Sequence, residues 1–387
     1  MASPRASTLC LSLCLGLVAI SGAACGGGSP PAAVAPKVAA SAAQAGGMDT
    51  LIRAAQQEGA LTATALLRHW ANYGGLIDGF EKKYGVKVTV DNPTGGSQEE
   101  IDDVKRYRGQ ERAPDVLQLG NSFAASAAEE GLLAPYRVAD YGRIPANQKD
   151  PHARWYNSYG GYVSIGCDAS RVKVCPVTFA DLLKPEYKGM VAVNGASPNT
   201  AGSAFAAVFA AALANGGSFD DIQPGIDFFG RLAAAGNYNT GNPVPESIVK
   251  GETPIAINWD FLNLQHVDAL RGQGVDWRVS IPFDGSFSLY YAQAINKDAP
   301  HPAAARLWEE YLASPEGQNL RLVGYARPVL MDAMAKDGTL DKDLAARLPT
   351  VEGGTPTFPT PAQLKQARNV VKENWDKTVP PKPAPSS

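Results

Sequence analysis

Four histidines, His69, His152, His266 and His301, supply all the imidazole in the chain. Their spacing suits no metal: none forms a His-Glu-x-x-His pair or stands at ligand spacing from a cysteine. A Gly-x-Ser-x-Gly elbow, a Walker phosphate loop and a Gly-x-Gly-x-x-Gly turn are also missing. Residue types alone leave a Ser-His-Asp arrangement open, with His69 after an expected strand as its base. The sequence names no catalytic residue, no metal ligand and no cofactor.

Three stretches have the chemistry to hold a small molecule. Ser197-Pro-Asn-Thr-Ala-Gly-Ser203 is a polar loop that runs into a helix apolar almost all round. The first turn of a helix carries unpaired N–H groups and partial positive charge. Ser197, Asn199, Thr200, Gly202 and Ser203 can therefore cap that helix or let an anion approach its backbone. Trp259-Asp260 follows an expected strand, and an indole face beside a carboxylate suits an ammonium group. The same pair serves equally as a core tryptophan and a helix-capping aspartate. Tyr290 and Tyr291 are neighbours on a strand, so they face opposite sides and at most one reaches a given cleft.

These stretches need a frame. Leu61–Leu67, Val86–Val90 and Pro114–Leu119 read as strands, alternating with helical patterns over Leu76–Tyr84, Gln98–Tyr107 and Ala124–Glu130. Such alternation predicts a parallel α/β sheet, in which ligands bind beyond the carboxyl ends of the strands. The loops at Arg68–Tyr73, Gly95–Ser97 and Gly120–Ser122 fall there, which adds Trp70, Asn121 and Ser122 as candidates. Farther on, Gly189–Val193, Thr253–Asn258 and Ser286–Ile295 read as strands, and Pro361–Val379 as a long amphipathic helix.

The 387 residues exceed what one core usually serves. A net charge of −3 leaves no electrostatic footprint for nucleic acid. Arg5, the apolar run Leu9–Ile20 and the small residues before Cys25 form a secretory signal, too short to span a membrane. Ser21–Cys25 resembles a lipobox, with Gly22 and Ala23 where Leu and Ala or Ser are more usual; ordinary cleavage near Ala24 is the alternative. Gly26–Gly47 and Pro380–Ser387 have the composition of flexible segments. Outside the cytoplasm Cys167 and Cys175 can pair as a disulfide or remain two buried thiols.

Several segments together carry a resemblance. They are Phe80-Glu-Lys-Lys-Tyr-Gly-Val-Lys-Val88, Pro114-Asp-Val116 with Glu130-Gly-Leu-Leu-Ala-Pro-Tyr136, and Thr178-Phe-Ala-Asp-Leu182 with Tyr187-Lys-Gly189. Ala299-Pro-His-Pro302 and Ser314-Pro-Glu-Gly-Gln318 complete the series. In this order the chain resembles the periplasmic solute-binding proteins of bacterial ABC importers, in the subgroup that takes ferric ion, polyamines, thiamine, phosphonates and sugar phosphates. The resemblance implies an α/β fold of the type 2 periplasmic-binding-protein kind, with each lobe a mixed sheet flanked by helices and two crossing strands between them. It places the crossings near Tyr159–Asp168 and Ile281–Ala292, with 48–158 plus 285–325 as one lobe and 159–284 plus 326–379 as the other. Residues 1–24 would be the signal, 25–47 the anchor cysteine and linker, and 380–387 a tail.

By the same resemblance Ser197–Ser203 matches an anion-holding loop, and Asn121 and Ser122 match a contact loop. Asn239 lies near a further contact segment. Asn258-Trp-Asp260 stands where ferric binders place adjacent tyrosines, and their absence argues against bare ferric ion. The implied partners are a small polar solute, anionic or zwitterionic, a permease and an ATPase, and a membrane reached through lipid on Cys25. The protein would work as a monomer. A secreted hydrolase using a Ser/His/Asp site is the alternative function, and a sensory lipoprotein a third.

Overall fold

The computed structural model describes residues 35–195, 197–199, 201–351 and 357–379. The expected signal, Cys25, Thr200 and the C-terminal tail lie outside them. Helix α1 (Met48–Glu58) is followed by β1 (Ala60–Thr64), α2 (Tyr73–Tyr84), β2 (Lys87–Asp91), α3 (Ser97–Arg106), β3 (Val116–Gly120), α4 (Asn121–Glu129) and β4 (Leu133–Ala134). Next come β5 (Tyr156–Asp168), β6 (Val191–Val193), α5 (Gly202–Ala214), α6 (Gln223–Ala234), β7 (Tyr238–Asn239), α7 (Pro245–Val249), β8 (Ile255–Trp259), α8 (Asp260–Ala269) and β9 (Trp277–Ser280). The chain continues through β10 (Ser288–Asn296), α9 (Pro302–Ala313), α10 (Pro315–Val323), β11 (Arg327–Pro328), α11 (Met331–Asp337), α12 (Lys342–Ala345) and α13 (Pro361–Thr378).

The strands run in the order β2-β1-β3-β10-β5-β8-β6-β7. β1 pairs in parallel with β2 and β3, and β6 in parallel with β7 and β8. Between these parallel groups stand β10 and β5, antiparallel to each other and to their outer neighbours. β5 belongs to both halves. Its residues 156–162 pair with β10, and 163–168 pair with β8 and β9. This is the two-lobed type 2 architecture, with a mixed sheet in each half.

Every residue of β5 is buried, which its sequence YNSYGGYVSIGCD permits only because glycines stand at the tightest places. A Cβ on Gly161 would lie 2.3 Å from an Asp260 carboxylate oxygen, and one on Gly160 2.4 Å from the Tyr290 ring. Two neighbours thus press on the strand where larger residues would push them away. Beyond it, Cys167 and Cys175 are joined by a disulfide.

Helix α5 is the apolar helix foreseen from the sequence, buried from Ser203 to Ala212. Its alanines let α6 approach closely. A Cβ on Gly225 would fall 2.0 Å from the Val208 carbonyl oxygen. On the other side of the sheet, Asp115 just before β3 is fully buried and tied from three directions. It accepts the Thr62 N–H at 2.7 Å and the His301 N–H at 2.6 Å, and its carboxylate lies 2.9 Å from His301 Nδ1. His301 Nε2 is 2.9 Å from Glu111.

Two expectations are corrected. β1 stops at Thr64 rather than Leu67, because Ala65 turns the chain with a φ of 58°. Residues 35–47 do not continue a flexible tether. Ala39 and Ala45 are buried, the Ala39 carbonyl accepts from Arg306 Nε at 2.8 Å, and the Ala40 carbonyl accepts from the Arg137 N–H. Alanine-rich composition suggested a solvated linker, but alanine also fits narrow space against a folded surface.

Gly225→Ala should cost about 1–3 kcal/mol by forcing α6 off α5; an unchanged thermal midpoint would contradict the close approach. The Asp115 hydrogen bond, working against burial, raises His301 from 6.5 to about 8. A raised folded value means the added stability is complete below pH 6.5 and lost as pH climbs through 8. Urea midpoints should fall across that window by on the order of 1 kcal/mol, discounted because Glu111 is exposed and screened. His301→Gln should flatten that slope.

Candidate functional site

Gly120 ends β3 in one half of the sheet, Val193 and Trp259 end β6 and β8 in the other, and these ends face one another across a rim at the middle of β5, each leading toward a helix start. Trp70 reaches the same rim from the loop after β1. That loop holds Ala65, Ala71 and Asn72 at positive φ, a costly arrangement for residues with side chains. It is held from below. Arg321 is fully buried between the rings of Tyr73 and Tyr159, at 4.1 and 4.2 Å, and donates from Nη1 to the Ala71 carbonyl at 3.2 Å. The Asn72 side chain donates to the Leu320 carbonyl at 2.8 Å.

Fixed in this way, Trp70 joins an aromatic cluster drawn from both halves of the sheet. Its indole N–H donates to the Tyr159 hydroxyl at 2.7 Å, which donates in turn to Gln118 at 2.9 Å. Its ring meets Phe261 and Tyr291 edge-on, with centroids 5.4 and 5.8 Å apart. Tyr291 stacks on Tyr159, and Trp259 stacks on Phe261. Rings at such separations attract one another beyond their buried area.

The sequence candidates divide in two. Ser122, Gly202, Trp259 and Trp70 gather around Tyr291. A Cβ on Gly202 would lie 3.5 Å from the Tyr291 hydroxyl, and Ala201 at the N-cap of α5 supplies no side-chain hydrogen bond. The buried Trp259 indole N–H is directed at the Tyr291 hydroxyl. Asn121 is buried at the first position of α4 with its amide oxygen unpartnered. It also lines a cavity of about 360 Å³ shared with Lys149, Arg154, Trp155 and Phe358. Ser203 is buried and accepts from Asn194 at 3.2 Å. Ser197 accepts the Asn199 N–H at 3.2 Å, and Asn199 itself is exposed.

The other candidates are engaged inside the protein. Asp260 is fully buried; one oxygen accepts the N–H groups of Tyr162 and Phe261, and the other lies 3.3 Å from Arg327 Nε. Its carboxylate is therefore spent on β5 and Arg327 rather than turned outward to an ammonium group. Asn239 gives both amide hydrogens to the carbonyls of Gly189 and Glu252 and accepts from Gly241. Asn258 accepts the Trp259 N–H at 2.9 Å. Tyr290 packs its ring on Phe358, while its neighbour Tyr291 stands in the cluster on the other face. His69 is exposed, and no hydrogen bond joins it to a serine or carboxylate among the described residues. No group of three metal-ligating side chains occurs among those residues.

Sequence reasoning missed Arg368. Helix α13 buries Leu364, Ala367, Val371 and Trp375 along one stripe, and Arg368 lies within that stripe. Its Nε donates to Ser122 Oγ at 3.2 Å, and its guanidinium lies 4.8 Å from the Phe123 ring and 4.2 Å from the Phe205 ring. Burial pushes it down to about 10, with Tyr291 opposing. Among the described residues no carboxylate pairs with it. The available signal was an arginine at a heptad-like core position, which an amphipathic reading passes over.

A two-lobed α/β protein with an aromatic, donor-rich rim where its halves meet belongs to the class of hinged ligand binders. Residues 111–348 match the model of the bacterial extracellular solute-binding proteins, and the chain belongs to that family, the capture components of ABC importers. Membership sets it among solute binders rather than secreted hydrolases. No curated protein matches the chain in sequence.

Solved structures share its fold. A ferric binding protein from Campylobacter jejuni is 18% identical, with 82% of this chain and 99% of that one covered at a TM-score of 0.62. Iron-bound HitA from Pseudomonas aeruginosa is 19% identical, with 83% and 99% covered at 0.59. AfuA from Actinobacillus pleuropneumoniae, with exogenous fructose-6-phosphate bound, is 19% identical, with 83% and 98% covered at 0.60. At these identities the likeness is one of fold.

Arg327→Gln leaves Asp260 buried without its counter-charge and should destabilise the protein by about 3 kcal/mol or more in urea denaturation. A loss below about 1 kcal/mol would mean that Asp260 is not held as described.

Proposed function

We propose that the protein captures a small polar organic solute in the cleft between its lobes and passes it to a membrane permease driven by a separate ATPase. In this reading residues 48–158 with 285–325 form one lobe, and 159–284 with 326–379 the other. Trp70, Asn121 and Ser122 line one wall, and Gly202, Ser203 and Trp259 the other. The observation that carries the reading is the cluster around Tyr291, where aromatic faces from both halves of the sheet converge. Ligand pockets have this character, apolar walls with a few placed polar groups. The shared strand β5 supports a hinge at its middle, since each half of it is paired to a different set of strands.

The solute is organic rather than a bare metal ion, because Asn258-Trp-Asp260 offers no tyrosine pair and Asp260 is already engaged. The protein acts outside the cytoplasm as a monomer, tethered by lipid on Cys25 after removal of residues 1–24. It captures its solute without transforming it.

Thermal denaturation against a metabolite panel tests capture. A true ligand at a hundredfold its dissociation constant should add about 2.7 kcal/mol. The same ligand should alter tryptophan emission, since Trp70 and Trp259 lie in the cluster. A panel of polar metabolites that moves neither readout would sink the reading.

A further inference from the structure

Arg368 is half-buried beside Tyr291, and among the described residues no acid lies within ion-pair distance of it. Arg327 and Arg154 are paired with Asp260 and Asp150, and Arg321 is sandwiched by two tyrosine rings. Arg368 has ring faces on two sides and spends a single N–H, on Ser122 Oγ. Both terminal nitrogens are without an acceptor among the described residues. Arg368 is half-buried, so its terminal nitrogens are not sealed from solvent. The ring faces attract the cation and leave its planar edge open to an anion.

What surrounds that edge is also rich in donors. The buried Trp259 indole N–H is directed at the Tyr291 hydroxyl, which leaves that hydroxyl's own proton to donate. The hydroxyl lies over Gly202, at a helix start where Ala201 supplies no side-chain cap. Asp260, the one acidic candidate from the sequence, is committed to Arg327 and cannot neutralise Arg368. Among the described residues no carboxylate pairs with Arg368, and the open acceptor beside Ser122 is the neutral amide oxygen of Asn121.

We propose that the captured solute carries an oxyanion, carboxylate or phosphoryl, seated on the free edge of Arg368, which makes this residue of the C-terminal helix the determinant of solute charge. The assignment rests on the capture reading above. The fork geometry of a guanidinium suits two parallel hydrogen bonds to either oxyanion. Because Arg368 belongs to α13 and its Ser122 contact to α4, a bound anion would lie where those two helices meet and favour the arrangement in which they touch.

The test uses the intact protein and matched pairs: fructose 6-phosphate with fructose, succinate with succinamide, and inorganic phosphate alone. Binding is read by titration calorimetry on the wild type, Arg368→Gln and Arg368→Lys, with circular dichroism confirming the fold. At least one anionic member should bind tenfold or more tightly than its neutral partner. Arg368→Gln should abolish that preference, and Arg368→Lys should restore part of it. If Arg368→Gln does not fold, Ser122→Ala, which frees the side chain from its anchor, should still weaken the anionic member alone. The phosphate and carboxylate pairs separate the two oxyanion sources. Equal binding of charged and neutral members, or unchanged anion affinity in Arg368→Gln, overturns the assignment and leaves capture standing. Silence across all the pairs while other solutes bind overturns it too. Silence toward every solute defeats both readings.

Discussion

Strand β5 is the constraint on which the rest depends. All thirteen of its residues are buried, and its backbone is hydrogen-bonded to β10 along one stretch and to β8 and β9 along the next. A strand enclosed on both faces cannot slip in register without exposing apolar and burying polar groups. The positions of Tyr159 under Trp70, and of Gly161 against Asp260, follow from that register. The site is therefore built on rigid sheet, and only its outer walls come from loops.

The loop that carries Trp70 shows how the rigidity is extended. Positive φ at Ala71 and Asn72 is unfavourable locally, by roughly 1–3 kcal/mol each. Arg321, Asn72 and the Tyr159 hydroxyl hold the loop in that shape through contacts to α10 and β5. The strain is offset by the core below, which keeps an indole at the rim in a single orientation. Preorganisation of this kind reduces the entropy lost when a ligand arrives.

Much of this frame was legible in the sequence. The strands now called β3, β6 and β8, the apolar α5 and the long α13 could be read from periodicity and caps, which pointed to an α/β sheet, while the two lobes came from the resemblance to solute-binding proteins. Boundaries failed where a backbone anomaly intervened, as at Ala65. Composition misled at Ala39 and Ala45, since small residues look alike whether solvated or packed. The site was harder. Trp70 and Ser122 were found because they follow strands, and Gly202 because it opens a helix. Asn239, Asn258 and Tyr290 came from the resemblance or from a strand interior, and their side chains turn to backbone groups or to the opposite face. Side-chain direction depends on neighbours outside the local pattern, which position along a strand does not report.

The sharpest reversal concerns charge. Sequence adjacency offered Asp260 to the ligand because it stood beside an indole, and passed over Arg368 within a long amphipathic helix. Packing exchanges the two. Asp260 is one residue past β8, where the N–H groups of Phe261 and Tyr162 and the charge of Arg327 are all in reach, so the protein itself satisfies it. Arg368 is carried inward by a stripe of Leu364, Val371 and Trp375 that must be buried for α13 to dock at all. The apolar contacts of α13 thus hold a half-buried cation in place with no acid paired to it among the described residues, and under the proposal above the helix read only as amphipathic contributes to the site.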